Sequence, residues 1–323
     1  MKLLTGLLMS LAIGVVLLLG ALEAWMSGCA SADERGVYDR SALQKVDYSD
    51  LPAPTTLRAR DGTSLAVRIY PSASRLVVVA LHGSAGHGRY YHALARYLSG
   101  RGRATVYAVD LRGHGASGGR RGDVDYVGQL EDDLADVVAA VRRERPGAPI
   151  VLLGHSAGGG LVVRAAGGGR VPDIAGYVLL APYLGPTAPT SKPDAGGWAT
   201  ADMAKIIDIA TREATGDVAG QDAVVVRFNM PEATSDYVLA YSYRMVMSYN
   251  PHPDLGRDLG AMRGRVLVLV GDRDESFNAE RYASTIAPYS PATVKVLPGV
   301  THLGLVVDRR AAEEIDTWLG ALP

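Results

Sequence analysis

The strongest chemical signal in the chain is Gly154-His155-Ser156-Ala157-Gly158, a G-x-S-x-G pattern centred on a serine. A serine hydroxyl attacks a carbonyl carbon effectively only when a base takes its proton and an acid orients that base. The flanking glycines fit such a role. A nucleophile lifted on a tight turn brings backbone so close at Gly154 and Gly158 that side chains there would collide. A base is available in His302, in the loop Gly299-Val300-Thr301-His302 that follows the expected strand Thr293–Leu297. For the acid, Asp272, Asp274 and Glu275 compete where the run Val266–Val270 ends. Such a set supports acyl transfer to Ser156 and then to water.

These residues need a frame that holds them at one edge. Leu76–Leu81, Thr105–Val109, Ile150–Leu153, Tyr177–Ala181 and Val266–Val270 are near-continuous apolar runs. Strands buried on both faces read this way, because helices cover both sides of a parallel sheet. Between them lies a helical period over Asp125–Arg143, with Val127, Leu130, Leu134, Val137, Val138 and Val141 on one face. Asp125 is its expected N-cap, and Pro146-Gly147 stops the chain beyond it. Strand–helix alternation predicts a doubly wound α/β fold. The entry differs: Thr56–Arg60, an Asp61-Gly62 turn and Leu65–Tyr70 read as a hairpin. Ser156 then sits where the fold needs it, after the strand Ile150–Leu153 and before the helix-like Gly159–Ala166.

The alternation breaks between Gly185 and Met262, where prolines precede two expected helices, Asp202–Glu213 and Ser235–Ser248. The second stacks Tyr237, Tyr241 and Met245 at four-residue steps, a stripe suited to packing an inserted lid onto the core. The expected organisation is a core of residues 51–185 and 262–323 with a lid insert over 186–261. Ahead of it, Leu3–Leu22 carries no charge, so residues 1–28 read as a signal peptide or a membrane anchor. Met26-Ser27-Gly28-Cys29 resembles the lipobox of bacterial lipoproteins, although Met26 stands for the usual leucine, and Glu23 and Trp25 interrupt the approach. Cys29 is therefore the candidate lipidation site, and residues 29–50 the tether. Each version exports the catalytic domain and associates it with the membrane through the N-terminus or releases it. Cys29 is the single cysteine, which excludes an intramolecular disulfide. The net charge of −1 offers no basic excess for nucleic acid.

With these residues placed, the chain resembles the monoacylglycerol lipase and lysophospholipase branch of the α/β-hydrolases over roughly Leu51 to Leu322. Leu81-His82-Gly83-Ser84-Ala85-Gly86-His87-Gly88-Arg89-Tyr90 is similar to that family's first loop. Asp110-Leu111-Arg112-Gly113-His114-Gly115-Ala116-Ser117, continued by Gly119-Arg120-Arg121-Gly122, is similar to its D-x-R-G-H-G-x-S-x-G-x-R-G stretch. The resemblance implies an α/β-hydrolase fold with an inserted helical lid and no metal or organic cofactor. It implies Ser156 as nucleophile, Asp274 as acid through the G-x-x-D placement, and His302 as base. The oxyanion donors expected in this fold are the backbone N–H groups of Ser84 and Ala157. In the Asp110–Arg121 stretch, Arg112 and Arg121 are expected to satisfy buried carboxylates or carbonyls. The substrate so implied is a small lipid-like ester, a monoacylglycerol or lysophospholipid. Two other readings stand beside it: an aminopeptidase-like amidase, which needs an acidic cluster from Asp202, Asp208, Glu213 and Asp217, and a non-catalytic binding protein on the same scaffold.

Overall fold

The apolar runs become strands because their backbones pair while both faces stay dry. The computed structural model describes residues 38–193, 197–230 and 236–322. In chain order its first half holds α1 (Ser41–Gln44), β1 (Thr55–Arg58), β2 (Ser64–Tyr70), β3 (Val77–Leu81), α2 (His92–Gly100), β4 (Thr105–Val109), α3 (Gln129–Glu144) and β5 (Ile150–His155). Next come α4 (Ala157–Gly168), β6 (Gly176–Leu180), β7 (Ala199–Ala201), α5 (Met203–Glu213), β8 (Val224–Phe228), β9 (Ala240–Ser242) and α6 (Tyr243–Tyr249). The chain closes with α7 (Leu255–Gly260), β10 (Arg265–Arg273), α8 (Tyr282–Ile286), β11 (Thr293–Thr301) and α9 (Arg309–Gly320).

Eight strands form one sheet in the order β1-β2-β4-β3-β5-β6-β10-β11. The hairpin β1–β2 and the β2–β4 pair are antiparallel, and every later pair is parallel. Every residue of β3, β4, β5 and β6 is buried, as two-sided helix cover requires. The C-terminal ends of β5, β10 and β11 therefore lie along one edge, where an open α/β sheet places its ligands.

The structure differs from expectation in several places. The helix expected over Asp125–Arg143 is α3, which starts at Gln129. Gly128 is left-handed (φ 99°), and the Gln129 side chain accepts the Asp125 N–H at 2.6 Å, so Asp125 closes a turn and is not the N-cap. The helix expected over Ser235–Ser248 is split. Tyr241 lies in β9, and α6 begins only after Ser242, whose side chain accepts from Met245 N at 3.1 Å. Ser235 lies outside the described residues. The insert between β6 and β10 is thus not purely helical: β7, β8 and β9 make a small antiparallel sheet. The part of the expected tether that is described, residues 38–50, is not a free linker. Tyr38 and Leu43 are buried, and the Asp50 carboxylate accepts from His92 Nε2 (3.1 Å) and Arg96 (3.0 Å). Residues 1–28 and Cys29 lie outside the described residues, among which no helix is long and apolar enough to cross a membrane.

The insert is fastened through Gly122 and Asp123. Gly122 (φ +70°) passes against the Ala240 carbonyl so closely that a Cβ there would overlap it. The Asp123 carboxylate takes two bonds from Arg244 (2.8 and 2.7 Å) and one from the Ser242 hydroxyl (2.6 Å). Burial pushes the Asp123 carboxyl upward, but Arg244, Ser242 and Arg120 together hold it well below the usual carboxylate range. A depressed folded-state value contributes stability above the unfolded carboxylate value and loses it as pH falls through the folded one. Asp123→Asn should lower stability at neutral pH by about 1–3 kcal/mol. Below about pH 4 the difference from wild type should shrink, as thermal unfolding across pH would record.

Candidate active site

Ser156 stands at the join of β5 and α4 with φ 54° and ψ −122°, a conformation that L-residues rarely adopt. Its surroundings hold it there. Its N–H donates to Leu180 O (2.9 Å), and its carbonyl accepts from Gly160 N (3.1 Å) and Tyr183 N (2.9 Å). A Cβ at Gly154 would overlap the Gly158 carbonyl, and one at Gly158 would overlap the Leu81 carbonyl. Both positions therefore accept only glycine while the turn keeps this shape.

His302 follows β11 and Asp274 follows β10. His302 Nδ1 lies 2.7 Å from Asp274 Oδ2, with both side chains essentially fully buried. The acceptor on that side fixes the proton on Nδ1 and leaves Nε2 as the acceptor. Asp274 Oδ1 accepts from Ser276 N and Phe277 N, each at 2.9 Å. The carboxylate is thereby aimed at the imidazole. The neighbouring acids have other work. Asp272 accepts the Gly299 N–H at 2.6 Å and shapes the turn. Glu275 accepts the His302 N–H at 2.7 Å and the Asp39 N–H at 3.0 Å.

The loop after β3 reaches Ser156 through Gly83, where a Cβ would stand only 3.0 Å from Ser156 Cβ. Ser84 lines the same pocket as Ser156 and His302. Ala157 opens α4, so its N–H has no partner within the helix. Both N–H groups lack an acceptor among the described residues and are free to bind an oxyanion. The loop is held from below and above. His82 donates from Nδ1 to Gly83 O (2.8 Å) and accepts Leu111 N–H at Nε2 (3.0 Å). Ala85, left-handed at φ 62°, donates its N–H to the Tyr241 hydroxyl at 2.8 Å. Tyr241 in turn donates to His114 Nε2 (2.6 Å), whose Nδ1 donates to Arg112 O (2.8 Å). Burial pushes the Tyr241 hydroxyl up and the His114 imidazole down, so the pair is phenol and neutral imidazole at neutral pH.

The Asp110–Arg121 stretch is architectural. The buried Asp110 carboxylate accepts Gly88 N (2.7 Å) and Ala116 N (2.9 Å). Arg112 forks onto Asp133 (2.8 and 2.6 Å) and reaches Asp61 (2.8 Å), while Arg121 donates to Gly115 O (3.1 Å).

Several pocket residues gave no sequence signal. Tyr38 stacks on the His302 ring (centroids 4.6 Å, 21°) and bonds Ser276 Oγ at 2.6 Å. Trp198 and Met230 from the insert and Arg40 from the N-terminal segment complete the wall. His155 donates from Nε2 to His302 O at 3.1 Å, and burial keeps it neutral. The acids proposed to receive an amine are scattered. Asp202 caps α5, Asp208 pairs with Arg212, Glu213 accepts from Tyr243 (2.7 Å), and Asp217 accepts Ala219 N (2.9 Å). None lines the pocket. Among the described residues no cluster of three or more His, Cys, Asp or Glu is arranged to hold a metal.

Comparison with known proteins fits this frame. The profile of the serine aminopeptidase, S33 family (Hydrolase_4) matches residues 72–306. A monoacylglycerol lipase of Mycolicibacterium smegmatis is 41% identical over 112 residues, 34% of this chain and 39% of that protein. Human monoglyceride lipase is 34% identical over 147 residues, 45% of this chain and 47% of that protein. The matched stretches thus span less than half of these relatives' lengths. A monoglyceride lipase structure from Saccharomyces cerevisiae superposes with a TM-score of 0.65 at 18% identity, covering 84% of this chain and 94% of that one. At that identity the likeness is one of fold.

The Tyr241 contact makes a prediction. Tyr241→Phe leaves the buried Ala85 N–H without an acceptor, a cost of about 1–3 kcal/mol, and loosens the loop that carries Ser84. Ser156 should then react with a fluorophosphonate probe roughly tenfold more slowly, measured by stopped labelling and mass spectrometry.

Proposed function

Because the chain belongs to the serine aminopeptidase, S33 family of hydrolases, we propose that it is a carboxylic-ester hydrolase acting through an acyl-enzyme on Ser156. Its substrates are single-chain lipid esters of the monoacylglycerol or lysophospholipid kind. The observation that carries the reading is the 2.7 Å bond between His302 Nδ1 and Asp274, made by a ring that lines the same pocket as Ser156.

The reaction follows from these positions. His302 Nε2 takes the Ser156 proton as Oγ bonds to the ester carbon, and Asp274 stabilises the imidazolium that forms. The carbonyl oxygen becomes an anion held by the N–H groups of Ser84 and Ala157, and the N-terminus of α4 behind Ala157 favours that charge. Collapse breaks the bond to the alcohol, which leaves with the proton from His302. Water, deprotonated by His302, then attacks the acyl-enzyme, and His302 returns that proton to Ser156 Oγ as the fatty acid leaves. The apolar wall of Trp198, Met230 and Leu303 suits an acyl chain. The matches to monoacylglycerol and monoglyceride lipases support the same substrate class. The amidase alternative requires an acidic receptor for a substrate amine, and no carboxylate lines the pocket among the described residues.

Ser156→Ala should abolish hydrolysis of aryl esters, monoacylglycerols and lysophospholipids and also fluorophosphonate labelling, with an unchanged circular dichroism spectrum. Asp274→Asn should lower kcat on the order of 10⁴-fold by favouring the wrong tautomer. Full turnover in Ser156→Ala, or faster turnover of aminoacyl amides than of esters by wild type, would overturn the assignment.

The uncharged run Leu3–Leu22 and the Met26-Ser27-Gly28-Cys29 sequence support an exported enzyme held at a membrane, by lipid on Cys29 or by the N-terminal run itself. Lipidation at Cys29 predicts that Cys29→Ser loses metabolic acyl labelling and shifts from the membrane to the soluble fraction, whereas anchoring by the run itself predicts that the variant stays in the membrane fraction. Retained label on the variant rules out lipidation at Cys29.

A further inference from the structure

The pocket wall contributed by residues 38–40 differs in charge from the rest. Tyr38 covers one face of the His302 ring, and two residues on, Arg40 lines the same pocket as Ser156. The Arg40 guanidinium lies 4.4 Å from the Tyr237 ring centroid and donates to the Tyr237 hydroxyl. No carboxylate pairs with it among the described residues, and it is the one formally charged side chain lining the pocket apart from what His302 carries during turnover. A guanidinium is a rigid fork of donors, and the described residues engage this one only through Tyr237. The fork is partly buried and backed by an aromatic ring, where a cation binds anions more strongly than in open water.

The position of Arg40 relative to the chemistry says which part of the substrate meets it. His302 gives its proton to the departing alcohol, so the alcohol lies beside the imidazole. The segment stacked on that imidazole therefore borders the place where the alcohol departs. We propose that Arg40, set by Tyr237, is the receptor for an anionic group on the alcohol portion of the substrate. This makes the preferred substrate a single-chain ester whose alcohol carries a phosphate, in place of a neutral glycerol ester. The inference rests on the ester-hydrolase reading and narrows its substrate class.

The test uses the full-length chain and two substrates with the same acyl chain, 1-oleoylglycerol and 1-oleoylglycerol 3-phosphate, assayed below their micellar concentrations. The readout is the ratio of kcat/KM for phosphate over neutral ester. Wild type should favour the phosphate. Arg40→Gln should lower the ratio by at least about tenfold, the scale of one charge-assisted hydrogen bond. Arg40→Lys, which keeps the charge but loses the fork, should fall between them, and added salt should reduce the preference of wild type and Arg40→Lys but not of Arg40→Gln. A wild-type ratio of one or less, or a ratio unchanged in Arg40→Gln, overturns the role of Arg40 while leaving the esterase intact. Absence of hydrolysis of both esters with no fluorophosphonate labelling of Ser156 overturns the underlying reading and this one with it. Should Arg40→Gln fail to fold, the wild-type ratio and Arg40→Lys decide.

Discussion

The turn at Ser156 is the constraint around which the rest of the domain is arranged. A non-glycine residue held at φ 54° stores strain of order 1–3 kcal/mol, and it persists only because the surroundings permit no relaxed alternative. β5 enters the turn with its edge paired to β6, α4 leaves with its backbone pressed on Leu81, and the carbonyl of Ser156 is tied to Tyr183. The same packing that strains the serine also leaves the Ala157 N–H pointing away from any helical partner. The proposed nucleophile and one proposed oxyanion donor are two outcomes of one backbone geometry. The parallel sheet then supplies the other partners by register, because β3, β10 and β11 end at the same edge as β5.

Around this turn many of the polar groups are tied to one another. Asp274 spends one oxygen on backbone N–H groups and the other on His302. Glu275 ties the His302 backbone to Asp39, and His155 ties the His302 carbonyl to the strand that carries Ser156. On the opposite side, Tyr241 connects the insert to the loop of Ser84 and, through His114, to the Arg112 turn. Satisfied buried networks rigidify their members, since a lost partner leaves a desolvated group exposed to no water. The loop that carries Ser84 is thus positioned as much by the insert as by the core.

Much of this was legible in the sequence, for identifiable reasons. The buried strands are apolar on both faces, and the elbow glycines answer a local steric demand, so both announce themselves within a few residues. Asp274 lies at the end of such a strand, whereas His302 follows the largely exposed edge strand β11. Other features depend on contacts distant in sequence. Arg112 meets Asp133 and Asp61, and Tyr241 meets Ala85 across 156 residues, with no local pattern to mark either pair. The insert misled the periodic reading because Tyr237, Tyr241 and Met245 fit a helical stripe, while pairing of β9 with β8 captured Tyr241 for a strand. Gly128 misled the start of α3: an apolar residue before it kept the helical period although a left-handed glycine interrupts the helix.

The stacking of Tyr38 on His302 bears on how the protein is handled. A chain begun at Leu51 would keep all eight strands of the main sheet, all three residues of the Ser–His–Asp set and every glycine of the elbow. It would nevertheless open one face of the imidazole to bulk water, free the Glu275 oxygen that meets Asp39, and delete the Arg40 side of the pocket. The N-terminal segment is thus part of the core, through Tyr38 and Leu43, as well as of the pocket wall, so shortened versions have to begin before Tyr38 if their kinetics are to describe this pocket.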